Sequence, residues 1–336
     1  MKRTSIWDVA KEAGVSITTV SRALNGYSDV SDKTRERIKE AVQKLHYAPD
    51  VNARSLGGKA ETTIALLVSD LQPKDESGLA FGVISGLYHF CSDNGYDFIL
   101  LATNTAKQTQ MGFLQLCRHK NVDGVVVMGL QTNDPYYDEI LESEVPCALI
   151  DVNVPGKNIC NVSIDNVEAS CKAVNFLFEL GHKNIGMING KKVASVSNER
   201  FSGYARSFLS HDMILDMDCV VSTDFSRENA YEKTLELLRR HPEITALFCA
   251  SDLIAIGALE AAKSLGKKIP QELAVIGFDD IPLASYLYGG ITTIRQDPYE
   301  IGQLAGSSVI NMLNNNVFES KVTATYELII RNTAHF

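Results

Sequence analysis

Between residues 64 and 277 the chain repeats one pattern, a short apolar run followed by a stretch with helical spacing. The apolar runs are Ile64–Ser69, Phe98–Ala102, Gly124–Met128, Cys147–Asp151, Asn184–Ile188, Ala246–Ala250 and Leu273–Gly277. Amphipathic helical segments fill the intervals, most clearly Ala169–Leu180, Glu228–Arg240 and Ile254–Leu265. A strand buried on both faces reads as a continuous apolar run, and its parallel neighbour needs a crossover long enough for a helix. The alternation therefore predicts βαβ units and parallel sheets covered by helices. There are too many strands for one compact domain, and 336 residues exceed one ordinary core, so two doubly wound lobes are expected. In open α/β sheets ligands bind beyond the carboxyl ends of the strands. Polar residues at those ends are Ser69, Asp151, Ser251, Asp252, Asp279 and Asp280. Carboxylates there accept hydroxyl hydrogen bonds, which suits a polyol, and an arginine fork supplies the matching donors.

The first 60 residues read differently. They carry a net charge of +4 inside a chain of net charge -9, so the rest holds -13. A basic head on an acidic body predicts that one segment meets a polyanion. Ile6, Val9, Ala10 and Ala13 share one helical face, and Gly14 stops that helix. Ser16 is a suitable cap for a second helix, Ile17–Leu24, whose Val20 and Leu24 are expected to face the first. Asn25-Gly26 ends it, and a third helix begins at Ser31 and buries Ile38, Val42 and Leu45. Helix, tight glycine turn and helix, backed by a third, is the helix-turn-helix arrangement. The second helix exposes Ile17, Thr18, Ser21 and Arg22, a weakly solvated face that can press into a groove. Arg22 can bond bidentately to guanine O6 and N7, whereas Ile17 can touch only apolar base edges. Thr18 could read several bases; Ser16, Thr19, Ser21 and Asn25 suit phosphate contacts or capping. Trp7, the only tryptophan, is expected to pack near the helix start.

Thr4–Asn25, TSIWDVAKEAGVSITTVSRALN, resembles the signature of the LacI/GalR repressor family, and the similarity runs to the end of the chain. The resemblance implies a helix-turn-helix domain over 1–48, a hinge helix and linker over 49–60, and a periplasmic-binding-protein-like body over 61–336. It puts one lobe at about 61–162 plus 292–320 and the other at 163–291 plus 321–336, with crossings near 163, 291 and 321. Pro49, Asp50 and the glycines 57 and 58 bound the hinge segment Val51–Leu56, too short to stay helical alone. Ala53 and Leu56 match the family's hinge, whose paired leucines wedge the minor groove of a palindromic operator, with Arg54 close by. The effector contacts implied are Asp151, Asp165, Arg200, Phe225, Ser251, Asp279 and Gln296, with Ser69 at its strand end. Two features depart from the family: Leu71–Phe81 is about four residues longer, and Ser251 stands where many sugar-binding members have Asn.

The expected function is thus a homodimeric repressor controlled by a small effector, a carbohydrate first. The alternatives are a purine-type ligand or a protein co-repressor such as a phosphocarrier. Catalysis is not expected, since there is no dinucleotide glycine motif, P-loop, H-E-x-x-H or Cys/His cluster. No cofactor or metal is expected either. Seven scattered cysteines, no apolar leader and no long apolar run point to the cytoplasm and away from the membrane.

Overall fold

Capping signals set the helices of the N-terminal unit. Ser5 opens α1 (Ile6–Ala13), its amide and hydroxyl donating to Asp8 Oδ2 at 2.8 and 2.7 Å. Gly14, at φ 64°, takes the left-handed conformation that closes this helix. Ser16 Oγ accepts from the Thr19 amide at 3.1 Å and starts α2 (Ile17–Leu24). Ser31 does the same for α3 (Asp32–Lys44). Arg35 of α3 donates to the carbonyls of Ala23 and Tyr27, satisfying the end of α2. Val9, Ala10, Ala13, Val20, Ala23, Val30, Ile38, Ala41 and Tyr47 form the core, with Val42 and Leu45 partly buried beside it. Two expectations are corrected here. The inward stripe of α2 runs through Val20 and Ala23, three apart, which leaves Leu24 exposed. Trp7 is 70% exposed because position 7 lies off the stripe through Val9, Ala10 and Ala13.

The computed structural model describes residues 4–24, 27, 29–45, 47, 62–71 and 77–335 and divides into units 1–61 and 62–336. The second unit holds two six-stranded sheets. The first sheet has β1 (Thr63–Ser69), β2 (Asp97–Thr103), β3 (Gly124–Met128), β4 (Cys147–Ile150) and β5 (Ile159–Ser163). With β11 (Lys321–Thr323) its order is β11-β5-β4-β3-β1-β2, parallel throughout. The second has β6 (Ile185–Asn189), β7 (Val220–Ser222), β8 (Ala246–Cys249), β9 (Ala274–Asp279), β10 (Thr292–Gln296) and β12 (Tyr326–Ile329). Its order is β12-β10-β9-β8-β6-β7, parallel except for β12 against β10.

Helices α4 (Leu79–Asn94), α5 (Thr105–Gln110), α6 (Phe113–Lys120) and α7 (Pro135–Leu141) follow strands of the first sheet. Helices α8 (Asn166–Glu179), α9 (Ser195–Ser210), α10 (Arg227–Arg240) and α11 (Asp252–Ser264) serve the second. Helix α12 (Pro298–Leu313) returns to pack on α4 and on β3, β4 and β5. The α4–α12 approach is close enough to need glycine: a Cβ on Gly86 would lie 2.1 Å from the Tyr299 carbonyl oxygen.

The pairing moves two of the expected lobe boundaries. β10 runs parallel to β9, so residues 292–296 belong to the second lobe and the chain crosses after Gln296. β11 pairs with β5, so residues 321–323 belong to the first lobe and the last crossing follows Thr323. The first crossing falls between β5 and α8. Among the described residues no helix is long and apolar enough to cross a membrane.

Candidate effector site and nucleic-acid interface

The two sheets present their carboxyl ends to each other. The loop after β6 bridges to the first lobe twice: Lys191 Nζ lies 3.6 Å from Asp70 Oδ2, and the Thr132 amide donates to the Val193 carbonyl at 3.2 Å. Backbone strain collects along these ends. Asp70, Asp151, Phe225, Asp279 and Asp280 all have φ between 56° and 107°, a region that costs side-chain-bearing residues free energy.

Arg200 on α9 is the centre of the second lobe's edge and is 3% exposed. Its Nε donates to Asn166 Oδ1 at 2.9 Å, a second nitrogen donates to the Ala250 carbonyl, and a third stands 3.7 Å from Asp279 Oδ1. The guanidinium also lies 3.7 Å from the centroid of the Phe278 ring, a cation–π contact that helps replace lost water. Asp279 ends β9 and accepts from Gln296 Nε2 at 2.7 Å. Burial pushes its carboxyl up to about 6; Arg200 and Gln296 hold it back, and Asp151 adds repulsion. Because the Gln296 amide nitrogen must face the carboxylate, Oε1 points the other way, and it is buried with no hydrogen-bond partner.

Beside this network the crossing after β5 forms a cavity of about 80 Å³ lined by Asp151, Ser163, Asp165, Asn166, Glu199 and Lys321, among others. Ser163 Oγ donates to Asp151 Oδ1 and accepts from Asn166 Nδ2. Burial raises the Glu199 carboxyl, and the Asp151 charge raises it further. Below the site Asp252 is fully buried and accepts from the Ile281 amide and the Thr293 hydroxyl at 2.9 and 2.7 Å. Burial drives its pKa well above the ordinary carboxylate range. Asp280 is different. Burial pushes it up, but hydrogen bonds from Arg331 and Arg295 outweigh this and leave it below the ordinary value.

The expected effector residues fall into groups. Arg200, Asp279 and Gln296 touch one another, and Asp151 and Asp165 share the adjoining cavity. Asp165 also caps α8 through the Glu168 amide, and Ser251 caps α11 through the Ile254 amide. The Phe225 ring covers Gly190, where a Cβ would lie 2.0 Å from the ring. Ser69 is bonded within its own lobe, donating to Asp134 and accepting from Gln108. Asn166, Glu199 and Ser163 were not singled out by sequence reading. Their only signal was adjacency to Asp165 and Arg200.

On the N-terminal unit, Ser16, Thr18 and Arg22 are exposed along α2, with Ile17, Thr19 and Ser21 half-buried. Ser16 and Thr19 share a side-chain hydrogen bond of 2.8 Å, so both hydroxyls serve the cap. Arg22 lies 2.6 Å from Asp29 Oδ2 and 4.9 Å from the centre of the Tyr27 ring. Both partners of that ion pair are about half exposed, so solvent screens it and it can yield to another acceptor. Asn25, Ala53, Arg54 and Leu56 lie outside the described residues.

A helix-turn-helix unit followed by two doubly wound lobes is the architecture of a DNA-binding transcription regulator. Comparison with known proteins agrees. Residues 5–50 match the family model of bacterial regulatory proteins of the lacI family, and residues 174–334 match a periplasmic binding protein-like domain. The chain is 33% identical over 331 residues to the ribose operon repressor of Halalkalibacterium halodurans, covering 98% of this chain and 97% of that protein. It is 30% identical over 328 residues to the HTH-type transcriptional repressor PurR of Erwinia tasmaniensis, covering 97% and 95%. The solved transcriptional regulator CelR–cellobiose complex has a TM-score of 0.74 at 28% identity, covering 98% of this chain and 100% of that one. The lac repressor dimer bound to operator and the anti-inducer ONPF shares the fold, with a TM-score of 0.86 at 23% identity and 99% of each chain covered. The chain belongs to the LacI family of bacterial transcriptional regulators, and it is a regulator rather than an enzyme.

Proposed function

We propose that this chain is a homodimeric repressor that reads a palindromic operator and is controlled by a carbohydrate held between its lobes. The observation that carries the effector half is the acceptor-rich network at Gln296 and Asp279. A buried amide oxygen without a partner costs about 1–3 kcal/mol until a donor reaches it. Hydroxyl groups are such donors, and the neighbouring Asp151, Asp165 and Glu199 carboxylates are acceptors too. Arg200 is anchored through two of its nitrogens and stands 3.7 Å from Asp279, so its remaining N–H groups can serve the hydroxyl oxygens of the same ligand. Phe225 offers a flat apolar wall for a ring, Ser69 and Ser251 bound the site, and the cellobiose-bound relative supports a sugar in this fold.

In this reading residues 1–48 bind DNA, 49–60 form the hinge and 61–336 form the effector body. Arg22 reads guanine after leaving Asp29, with Ile17 and Thr18 at base edges. Ser16, Thr19, Ser21 and Asn25 position the phosphates, while Ala53, Arg54 and Leu56 enter the minor groove. A single helix-turn-helix buries too little surface for tight specific binding, which is why two copies are needed. By linkage, the factor by which effector changes operator affinity equals the factor by which operator changes effector affinity.

The test is a thermal-shift screen of the full chain against mono- and disaccharides, purines and a phosphocarrier protein. A saturable shift with a sugar alone is the expected result. A shift with a purine or the phosphocarrier, and with no sugar, overturns the carbohydrate assignment.

A further inference from the structure

The far end of the second sheet carries a group that the regulator's function has no use for. Asp216, Cys219 and His241 bring a carboxylate oxygen, a thiol sulfur and an imidazole nitrogen within 4.8 Å of one another. Asp216 precedes a short helical turn, Met217–Cys219, that leads into β7. His241 sits at the carboxyl end of α10, and the chain then runs on to β8. Both approaches are at the amino ends of their strands, whereas the effector site lies at the carboxyl ends. We propose that Asp216, Cys219 and His241 bind a borderline-soft divalent cation of the zinc type.

The histidine carries the inference. Its Nδ1 is 3.1 Å from Glu243 Oε1, and its Nε2 is buried with no partner. A proton on Nδ1 facing the carboxylate leaves the lone pair on Nε2, the ring nitrogen that has no other partner. This carboxylate–imidazole relay is the arrangement that orients metal-bound histidines and raises their basicity. Capping does not account for it, because neither ring nitrogen bonds a carbonyl of α10.

Mixed N, S and O donors select zinc-like ions over magnesium or calcium, which prefer oxygen alone. Ligand atoms on a tetrahedral zinc lie about 3.5 Å apart, so closing the cluster takes side-chain rotations of roughly 1 Å. As the metal–sulfur bond forms, the Cys219 thiol proton leaves to solvent, and a water completes the fourth position. The bound ion ties the lead into β7 to the end of α10. β7 is a three-residue edge strand paired only with β6, so it gains the most from such a tie. Cys219 and His241 are 22 positions apart and match no metal-ligand spacing, so sequence reading found no metal.

The experiment uses the untagged full chain, stripped with a chelator and titrated with Co²⁺, then with Zn²⁺ in competition. Wild type is expected to bind one Co²⁺ per chain with a thiolate-to-cobalt absorption band that Zn²⁺ abolishes, and Zn²⁺ should raise its melting temperature. Cys219→Ser should lose the band, and His241→Gln and the exposed Asp216→Asn should weaken binding at least tenfold. Glu243→Gln, which only positions the histidine, should weaken it by about 10–100-fold. Metal-free melting curves matching wild type establish that the exposed Asp216 and Glu243 variants are folded. No band in wild type overturns the proposal, as does a band of unchanged affinity in Asp216→Asn and Glu243→Gln, which would place the cobalt on other thiols.

Discussion

Replacing Asp279 by Asn should stabilise the ligand-free protein while destroying its response to effector. Asp279 is 5% exposed, and its pKa is raised from 3.8 to about 6. A carboxyl whose folded value is raised contributes stability that is fully present below 3.8 and lost as pH rises through about 6. The loss above that window is about 3 kcal/mol, at 1.36 kcal/mol per unit of pKa. Asparagine keeps the shape of the protonated side chain and cannot ionise. The figure is already net of attraction to Arg200, which keeps Asn166, the Ala250 carbonyl and the Phe278 ring as partners. At pH 7.5 the variant should therefore melt roughly 5–10 °C above wild type, the shift expected of about 3 kcal/mol in a unit of this size. At pH 5 the gap should fall to about half in free energy, because wild-type Asp279 is then largely protonated in the fold. Thermal melts of both proteins without ligand from pH 5 to 8 measure this. A variant no more stable than wild type at pH 7.5, or a gap that does not narrow toward pH 5, would refute the burial account of Asp279. In gel-shift titrations the same variant should still bind operator but no longer respond to effector.

At the DNA, Arg22→Ala should cost about 1–3 kcal/mol and relax preference at one guanine per half-site, seen by binding to a panel of altered operators. Asp29→Asn removes the exposed carboxylate that holds Arg22, so operator affinity should rise severalfold at low salt, with the gain fading as salt increases. Leu56→Ala should weaken specific binding and reduce bending in a circular-permutation gel assay, with nonspecific affinity nearly unchanged. Gly86→Ala would drive a methyl against the Tyr299 carbonyl and should destabilise the body by about 2 kcal/mol or more in urea melts.

Much of the N-terminal unit and the character of the body are local properties, and those the sequence determined by itself. Ser16, Ser31 and Gly14 act within one turn of where they stand, so their capping roles could be read before any fold was known. The seven apolar runs likewise mark seven parallel strands, six of them with most residues buried and the seventh, β2, at the sheet edge. The five strands not anticipated are short or polar. Thr292–Gln296 reads as a loop, yet Thr292 and Thr293 are fully buried because their hydroxyls find Ala334, Arg331 and Asp252. Those partners lie about forty positions away, beyond the reach of any window of sequence.

Lobe membership was decided only in three dimensions, for the same reason. Whether residues 292–296 join the first or second sheet depends on which edge accepts their hydrogen bonds, and β9 and β12 provide it. The site follows this pattern. Arg200, Asp279 and Gln296 were nameable by resemblance, but Asn166 and Glu199 became their neighbours only when α8 and α9 packed side by side. Cys219 and His241 are a stronger case still, since a pair of unremarkable residues gains chemistry from the packing of α10 beside β7. Capping and apolar periodicity are short-range and leave their mark on the sequence. Pairing, burial and the meeting of distant polar atoms are set by the tertiary fold, where the cost of an unpaired buried group selects partners irrespective of their separation along the chain.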